Sequence, residues 1–353
     1  MSGLPASSSG TPAVRRPLGI LRRAIREFSL HDYLVIGYAA ALNVAALSAP
    51  TRSARAACLM MALPLFAWVA SSVFLVRSGI VRHPFGAPLL YRLAIYGTVQ
   101  LSYFLFANFL PLVNSSSLDQ ELYAIDLGLF GFEPALSMDS WVTAATTEWF
   151  AFFYFGYFFL LAVHVLGLLF FARHERILGE FCLGVLTIFC VGHIIYMLVP
   201  GWGPYRVMAD EFQHVFPDGA WVDMVMATVA SGGAQKDIFP SLHTAAPTFI
   251  ALFSYRNRHV FPFRYSWVLV VPFTANIIVA TMFLRWHYII DVVAGLALAT
   301  TAFAVSVWGT DWELARRRGA GLSRNWPEFF PATARPSDPP ARMSRELTRP
   351  HFS

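Results

Sequence analysis

The chain has 353 residues, of which 56% are hydrophobic, 16% aromatic and only 13% charged. An ordinary soluble domain carries about 25% charged residues, so a soluble class is excluded and an all-α, polytopic membrane helical bundle is expected. The formal charge of +5 does not indicate nucleic acid, because the arginines gather at the ends of apolar runs and in the tails.

In chain order, residues 1–31 form a basic segment with five arginines and no apolar run before Tyr33. No cleavable signal peptide is expected there. Eight apolar runs follow, at 33–49, 57–76, 89–113, 149–172, 181–200, 241–256, 265–284 and 288–308. They make 32–308 a transmembrane domain of about eight helices, each near the ~20 residues a span needs. The sixth is short: at 1.5 Å per residue it reaches roughly 24 Å of a ~30 Å hydrocarbon core. Ser241 and His243, at its start, would then sit below the membrane surface. Residues 114–148 are too polar to span. Within them, Leu118–Asp126 has apolar residues at helical spacing, which suggests an interfacial amphipathic helix. Residues 309–353, rich in arginine and proline, are expected to form a disordered basic tail. Cys58, Cys182 and Cys190 lie in or beside apolar runs without a Cys-x-x-Cys, so neither a disulfide framework nor a zinc site is indicated.

Charge orients the bundle. Arginines mark the N-terminal segment, the turns near Arg77–Arg92, Arg173–Arg176 and Arg256–Arg264, and the C-terminal tail. No Lys or Arg falls between Arg92 and Arg173, a gap holding Asp119, Glu121, Asp126, Glu133, Asp139 and Glu148. The positive-inside rule puts both termini in the cytoplasm and 114–148, 201–240 and 285–287 outside. Arg52 and Arg55, in the first outer turn, run against the pattern. The arginine-rich composition leans toward a bacterial inner membrane, with the site facing the periplasm.

Two motifs carry chemistry. Phe-Pro-Ser-Leu-His-Thr-Ala-Ala at 239–246 opens the sixth run, and Arg-Trp-His-Tyr-Ile-Ile-Asp at 285–291 opens the eighth. One helical hairpin separates them, so His243 and His287 lie at the same outer depth. Asp291 follows His287 by four residues and shares its helix face. A neutral imidazole is a nucleophile toward phosphorus, and a carboxylate on its other nitrogen fixes the tautomer. A second imidazole can protonate the leaving alkoxide and then deprotonate the incoming hydroxyl. Arg206, Lys236 and Arg285 are the basic residues available to bind phosphate on that side, and Ser241 begins a helix whose N–H groups suit an anion. His193, near the outer end of the fifth run, is a candidate for lining the site, whereas His164 lies too far inward.

Pro-Ser-Leu-His at 240–243 with His-x-x-x-Asp at 287–291 resembles the second and third motifs of the type-2 phosphatidic acid phosphatase superfamily. Thr281-Met-Phe-Leu-Arg-Trp-His-Tyr and Asp126-Leu-Gly-Leu-Phe-Gly-Phe-Glu-Pro134 look most like its inositol phosphorylceramide synthase branch. The resemblance is close over 190–300 and looser from 118. It implies a six-helix phosphatase-type core and a metal-independent reaction. His287 would form the phosphoenzyme, Asp291 would orient it and His243 would be the acid. A phospholipid or lipid phosphate would be the donor; water, a polyol or a sphingolipid-type alcohol would be the acceptor. The chain departs from the pattern in two places. Thr281 stands where the superfamily has arginine six residues before the nucleophile, and Pro204-Tyr-Arg206 is at most a degenerate first motif. Three readings follow: an inositolphosphotransferase-like enzyme, a plain lipid phosphatase, and a non-catalytic transporter or scaffold of the same fold.

Overall fold

The computed structural model describes residues 17–232 and 236–330, and every regular element among them is a helix. In chain order these are α1 (Pro17–Glu27), α2 (Leu30–Ser48), α3 (Arg52–Arg77), α4 (Gly86–Val113), α5 (Asp119–Phe130), α6 (Pro134–Ser137), α7 (Ala144–Phe171), α8 (Glu175–Leu198), α9 (Pro204–Val207), α10 (Ala220–Ser231), α11 (Leu242–Arg256), α12 (Phe263–Phe283) and α13 (Ile289–Ala320). Each of the eight apolar runs falls on a helix. Seven of those helices are long and apolar enough to cross a membrane, and α11, with 15 residues, is the short one.

The spans form two groups. Helices α2, α3 and α4 pack together, and α7, α11, α12 and α13 form the other cluster. Helix α8 joins them, packing on α2 and α4 on one side and on α13 and α11 on the other. Of its apolar window 72% is buried, against 28% in α3 and α7, which makes α8 the central helix. Large apolar side chains such as Met60, Phe159, Leu269 and Trp308 remain exposed on the outer spans, as a lipid-facing surface requires. At Gly295 a Cβ would come within 2.6 Å of the Ser241 carbonyl. That glycine lets α13 cross the start of α11 closely.

The two ends of the bundle differ chemically. At one end, Arg77 pairs with Asp32 at 2.7 Å and also donates to Tyr91, Ser29 and the Asn325 carbonyl. Nearby, Arg317 holds Glu313, and Arg256 holds Glu180. Buried charges are kept only when paired in this way. The opposite end carries α5, α6, α9 and α10 and the two motif histidines.

One expectation is corrected. Helix α13 continues to Ala320, and beyond it Asn325 and Trp326 are fully enclosed, so 309–330 is ordered structure. Trp326 packs edge-on against His31 and Tyr91, which ties this segment to the bundle. The outer loop 201–240 contains the apolar helix α10, whose first N–H groups at Trp221 and Val222 are accepted by Glu148. In α5 the buried face carries Asp119, Leu122 and Asp126, while Ile125, Leu127, Leu129 and Phe130 are exposed. The carboxylates turn inward because they cap distant backbone. The expected basic head before Pro17 and the tail after Phe330 lie outside the described residues.

Candidate active site

Residues 239–243 and 284–291 meet at the end of the bundle that carries α5 and α10. Ser241 caps α11: its Oγ accepts from the Thr244 N–H at 3.2 Å, and its own N–H donates to the Asp291 carbonyl at 3.0 Å. This bond ties the starts of α11 and α13 together. Between α12 and α13 the chain turns sharply. The Thr281 carbonyl accepts from both Trp286 and His287 N–H, and Arg285 adopts φ +66°. A left-handed arginine costs roughly 1 kcal/mol or more. Its neighbours hold it: the Arg285 carbonyl accepts from Tyr205 N–H at 2.8 Å, and its guanidinium donates to Asp139 and the His214 carbonyl. At Gly203, with φ +89°, a Cβ would lie 2.4 Å from the Trp286 carbonyl. Only glycine lets the α9 loop close over this turn.

This scaffold points both histidines into one cavity of about 570 Å³. Their ring centroids are 6.5 Å apart, close enough for one phosphoryl group to touch both. His243 stacks on Tyr154 at 4.3 Å and leans on Tyr157 at 4.2 Å. Its Nε2 has no hydrogen-bond partner among the described residues. His287 Nδ1 lies 3.3 Å from Asp291 Oδ2. Burial holds the His287 ring down to about 4, opposed by the Asp237 charge and the Ile238 carbonyl. At neutral pH it is therefore the uncharged imidazole. Asp291 also accepts from Tyr288 N–H at 2.9 Å and so caps α13.

The four expected phosphate-binding residues are engaged elsewhere, and none of them is among the described residues that line the cavity. Lys236 donates to the carbonyls of Ser115 and Ser116 at 2.8 and 2.9 Å. Arg206 is exposed and stacks on the Trp202 ring at 3.6 Å. Arg285 is sandwiched between Phe212 and Phe216 besides its pairing with Asp139. The Ser241 hydroxyl is fully buried at its cap. His193 does line the cavity, bonded to the Tyr38 hydroxyl at 3.0 Å, whereas His164 does not and bonds the Leu160 carbonyl of its own helix.

Sequence reasoning missed four carboxylates around the site. Asp126 accepts from Ile289 and Ile290 N–H at 2.7 and 2.9 Å, the first N–H groups of α13. Asp119 accepts from Trp202 and Gly203 N–H and from the Tyr288 hydroxyl. Glu133 is buried beside Asp126; burial pushes its carboxyl up to about 8, with Asp126 adding against the Ala135 N–H. Asp237 lines the cavity itself. Burial pushes that carboxyl up, opposed by its own backbone, the Tyr103 hydroxyl and His287. The segment Asp126–Pro134 held the one available signal, and its two acids are the ones that meet.

The family model described as the PAP2 superfamily matches residues 120–305, more than half of the chain and inclusive of both motifs. No curated protein and no solved structure matches the chain.

Proposed function

The chain belongs to the PAP2 superfamily, and we propose that it is an integral membrane enzyme that cleaves and transfers a phosphoryl group from a lipid phosphate or phospholipid through a phosphohistidine. The carrying observation is the facing pair His243 and His287, 6.5 Å apart over one cavity. His287 Nε2 attacks phosphorus, the bond from phosphorus to the lipid oxygen breaks, and His243 gives that oxygen its proton. Asp291 on Nδ1 fixes the tautomer and offsets the charge that forms on the ring. A hydroxyl then surrenders its proton to His243 and attacks the phosphohistidine, which restores His287. With water the product is free phosphate or a phosphorylated headgroup; with a polyol or lipid alcohol it is a transfer product.

Ser241 contributes through the backbone bond that joins the two motifs. Arg206, Lys236 and Arg285 would serve phosphate only by exchanging their present partners. The arginine-rich end of the bundle faces the cytoplasm under the positive-inside rule, so both termini lie there. The catalytic end then faces the outside of the cell, the periplasm in a bacterial inner membrane. The deciding experiment is turnover of purified protein on labelled phosphatidic acid and phosphatidylinositol, with and without diacylglycerol or ceramide. Free phosphate from phosphatidic acid alone identifies a lipid phosphatase. Label appearing in a new lipid only with acceptor identifies a transferase of the inositol phosphorylceramide synthase kind. No turnover on any donor rejects the enzyme reading in favour of a transporter or scaffold.

A further inference from the structure

The cavity has an unexpected charge balance. Among its described lining residues are three histidines, one carboxylate, Asp237, and no lysine or arginine. Gly233, Ala234 and Gln235, outside the described residues, carry no charge. Lys236 and Arg206 sit against the Trp202 ring, at 5.1 and 3.6 Å, and neither lines the cavity. Among the described lining residues the one acid, Asp237, thus has the same sign as the phosphate when it is ionised.

The cavity that Asp237 lines has largely aromatic walls. The Tyr103 hydroxyl hydrogen-bonds Asp237, and the Asp237 charge acts on Tyr154, Tyr196 and Tyr205. Tyr205 packs on Trp286 at 4.6 Å, and Trp286 lies 6.4 Å from Tyr154, the ring stacked on His243. The Trp286 Nε1 is buried without a partner among the described residues. Asp237 also acts on His287, and both line the same cavity.

A carboxylate in a cavity lined by tyrosine and tryptophan rings, with no lysine or arginine among the described lining residues, has the chemistry of an ammonium site. The carboxylate supplies the charge, and the ring faces attract a cation that has lost its water. We propose that this cavity binds the cationic amine of a phospholipid headgroup, so that the donor is a zwitterionic lipid of the ethanolamine or choline type. The proposal rests on the phosphohistidine reading and gives that site its substrate class. The phosphate of such a headgroup meets His243 and His287 while its amine meets Asp237, and the net charge brought into the cavity is zero. An inositol or glycerol headgroup brings a net negative charge beside Asp237 and is disfavoured.

The test uses the purified full chain and short-chain phosphatidylcholine, phosphatidylethanolamine, phosphatidylinositol and phosphatidylglycerol with matched acyl groups. Binding is followed by fluorescence of the cavity tryptophans, and turnover by diacylglycerol release. The choline and ethanolamine lipids should bind at least about tenfold more tightly than the other two, a difference of about 1.4 kcal/mol. Asp237→Asn should collapse that ratio toward one, and Asp237→Glu should keep most of it. Equal or tighter binding of phosphatidylinositol, or an unchanged ratio in Asp237→Asn, overturns the proposal. Amine-selective binding without turnover of any lipid would reject the phosphohistidine reading and sustain the subsite. Turnover without headgroup preference would do the reverse.

Discussion

Asp126 accepts the backbone N–H of Ile289 at 2.7 Å, a bond spanning 163 residues of chain. With its second oxygen on Ile290, it holds the first turn of α13, just after His287 and just before Asp291. A helix start leaves its first N–H groups without intrahelical partners, and here an acid from α5 supplies them. Positioning of the proposed nucleophile thus depends on a helix that contributes nothing to the cavity lining.

Asp126→Ala should therefore lower both stability and turnover. Two buried N–H groups lose their acceptor, at about 1–3 kcal/mol each. A fall of several degrees in thermal unfolding in detergent, with kcat reduced more than KM is raised, is the expected pattern. A variant with native stability and full activity would show that α13 does not need this cap.

Glu133 makes a second case. Burial, aided by Asp126, pushes its carboxyl up to about 8, so it is a neutral acid at pH 7. As pH rises through about 8 it ionises beside Asp126 and Asp291, and like charges crowd the start of α13. Turnover should decline on that alkaline limb. Glu133→Gln, which copies the neutral acid, should keep activity at pH 7 and remove or shift the limb. An unchanged pH profile would sever the link.

The acid limb belongs to His287. Its folded value of about 4 lies below the ordinary 6.5, so the ring stays unprotonated, and able to attack, well below pH 6. The rate constant kcat/KM, which reports the free enzyme, should fall only as pH drops toward 4. An acid limb centred near 6.5 would mean that His287 is solvated before substrate binds.

His243→Ala should reduce turnover of an ordinary lipid ester by about 10²–10⁴-fold, the usual worth of a general acid or base. It should still form phosphoenzyme from a phosphate ester with a good leaving group, whose oxygen needs no proton. Loss of phosphoenzyme even from that ester would assign His243 to phosphate binding.

The helices and the pairing of His243 with His287 and Asp291 were legible in the sequence, because both follow from periodic properties. Apolar runs mark spans, four residues make one helix face, and a hairpin returns two motif starts to one depth. Individual polar partners follow no period. Nothing in the sequence announces that the Lys236 ammonium bonds the Ser115 and Ser116 carbonyls. Asp237, its neighbour, shows no pattern, yet it is the one that lines the cavity. Apolar spacing marks α5 as a helix, but which of its faces is buried is set by what Asp119 and Asp126 cap. The Arg77–Asp32 pair joins residues 45 apart, and nothing local announces it.

The central claim is a covalent phosphohistidine on His287. Purified full-length protein, treated with labelled lipid phosphate, quenched within the first turnover and digested, tests it most directly. The expected product is an acid-labile, alkali-stable phosphoramidate on the peptide containing His287, absent from a folded His287→Ala variant. Label on another residue, or turnover that persists in His287→Ala, would contradict it.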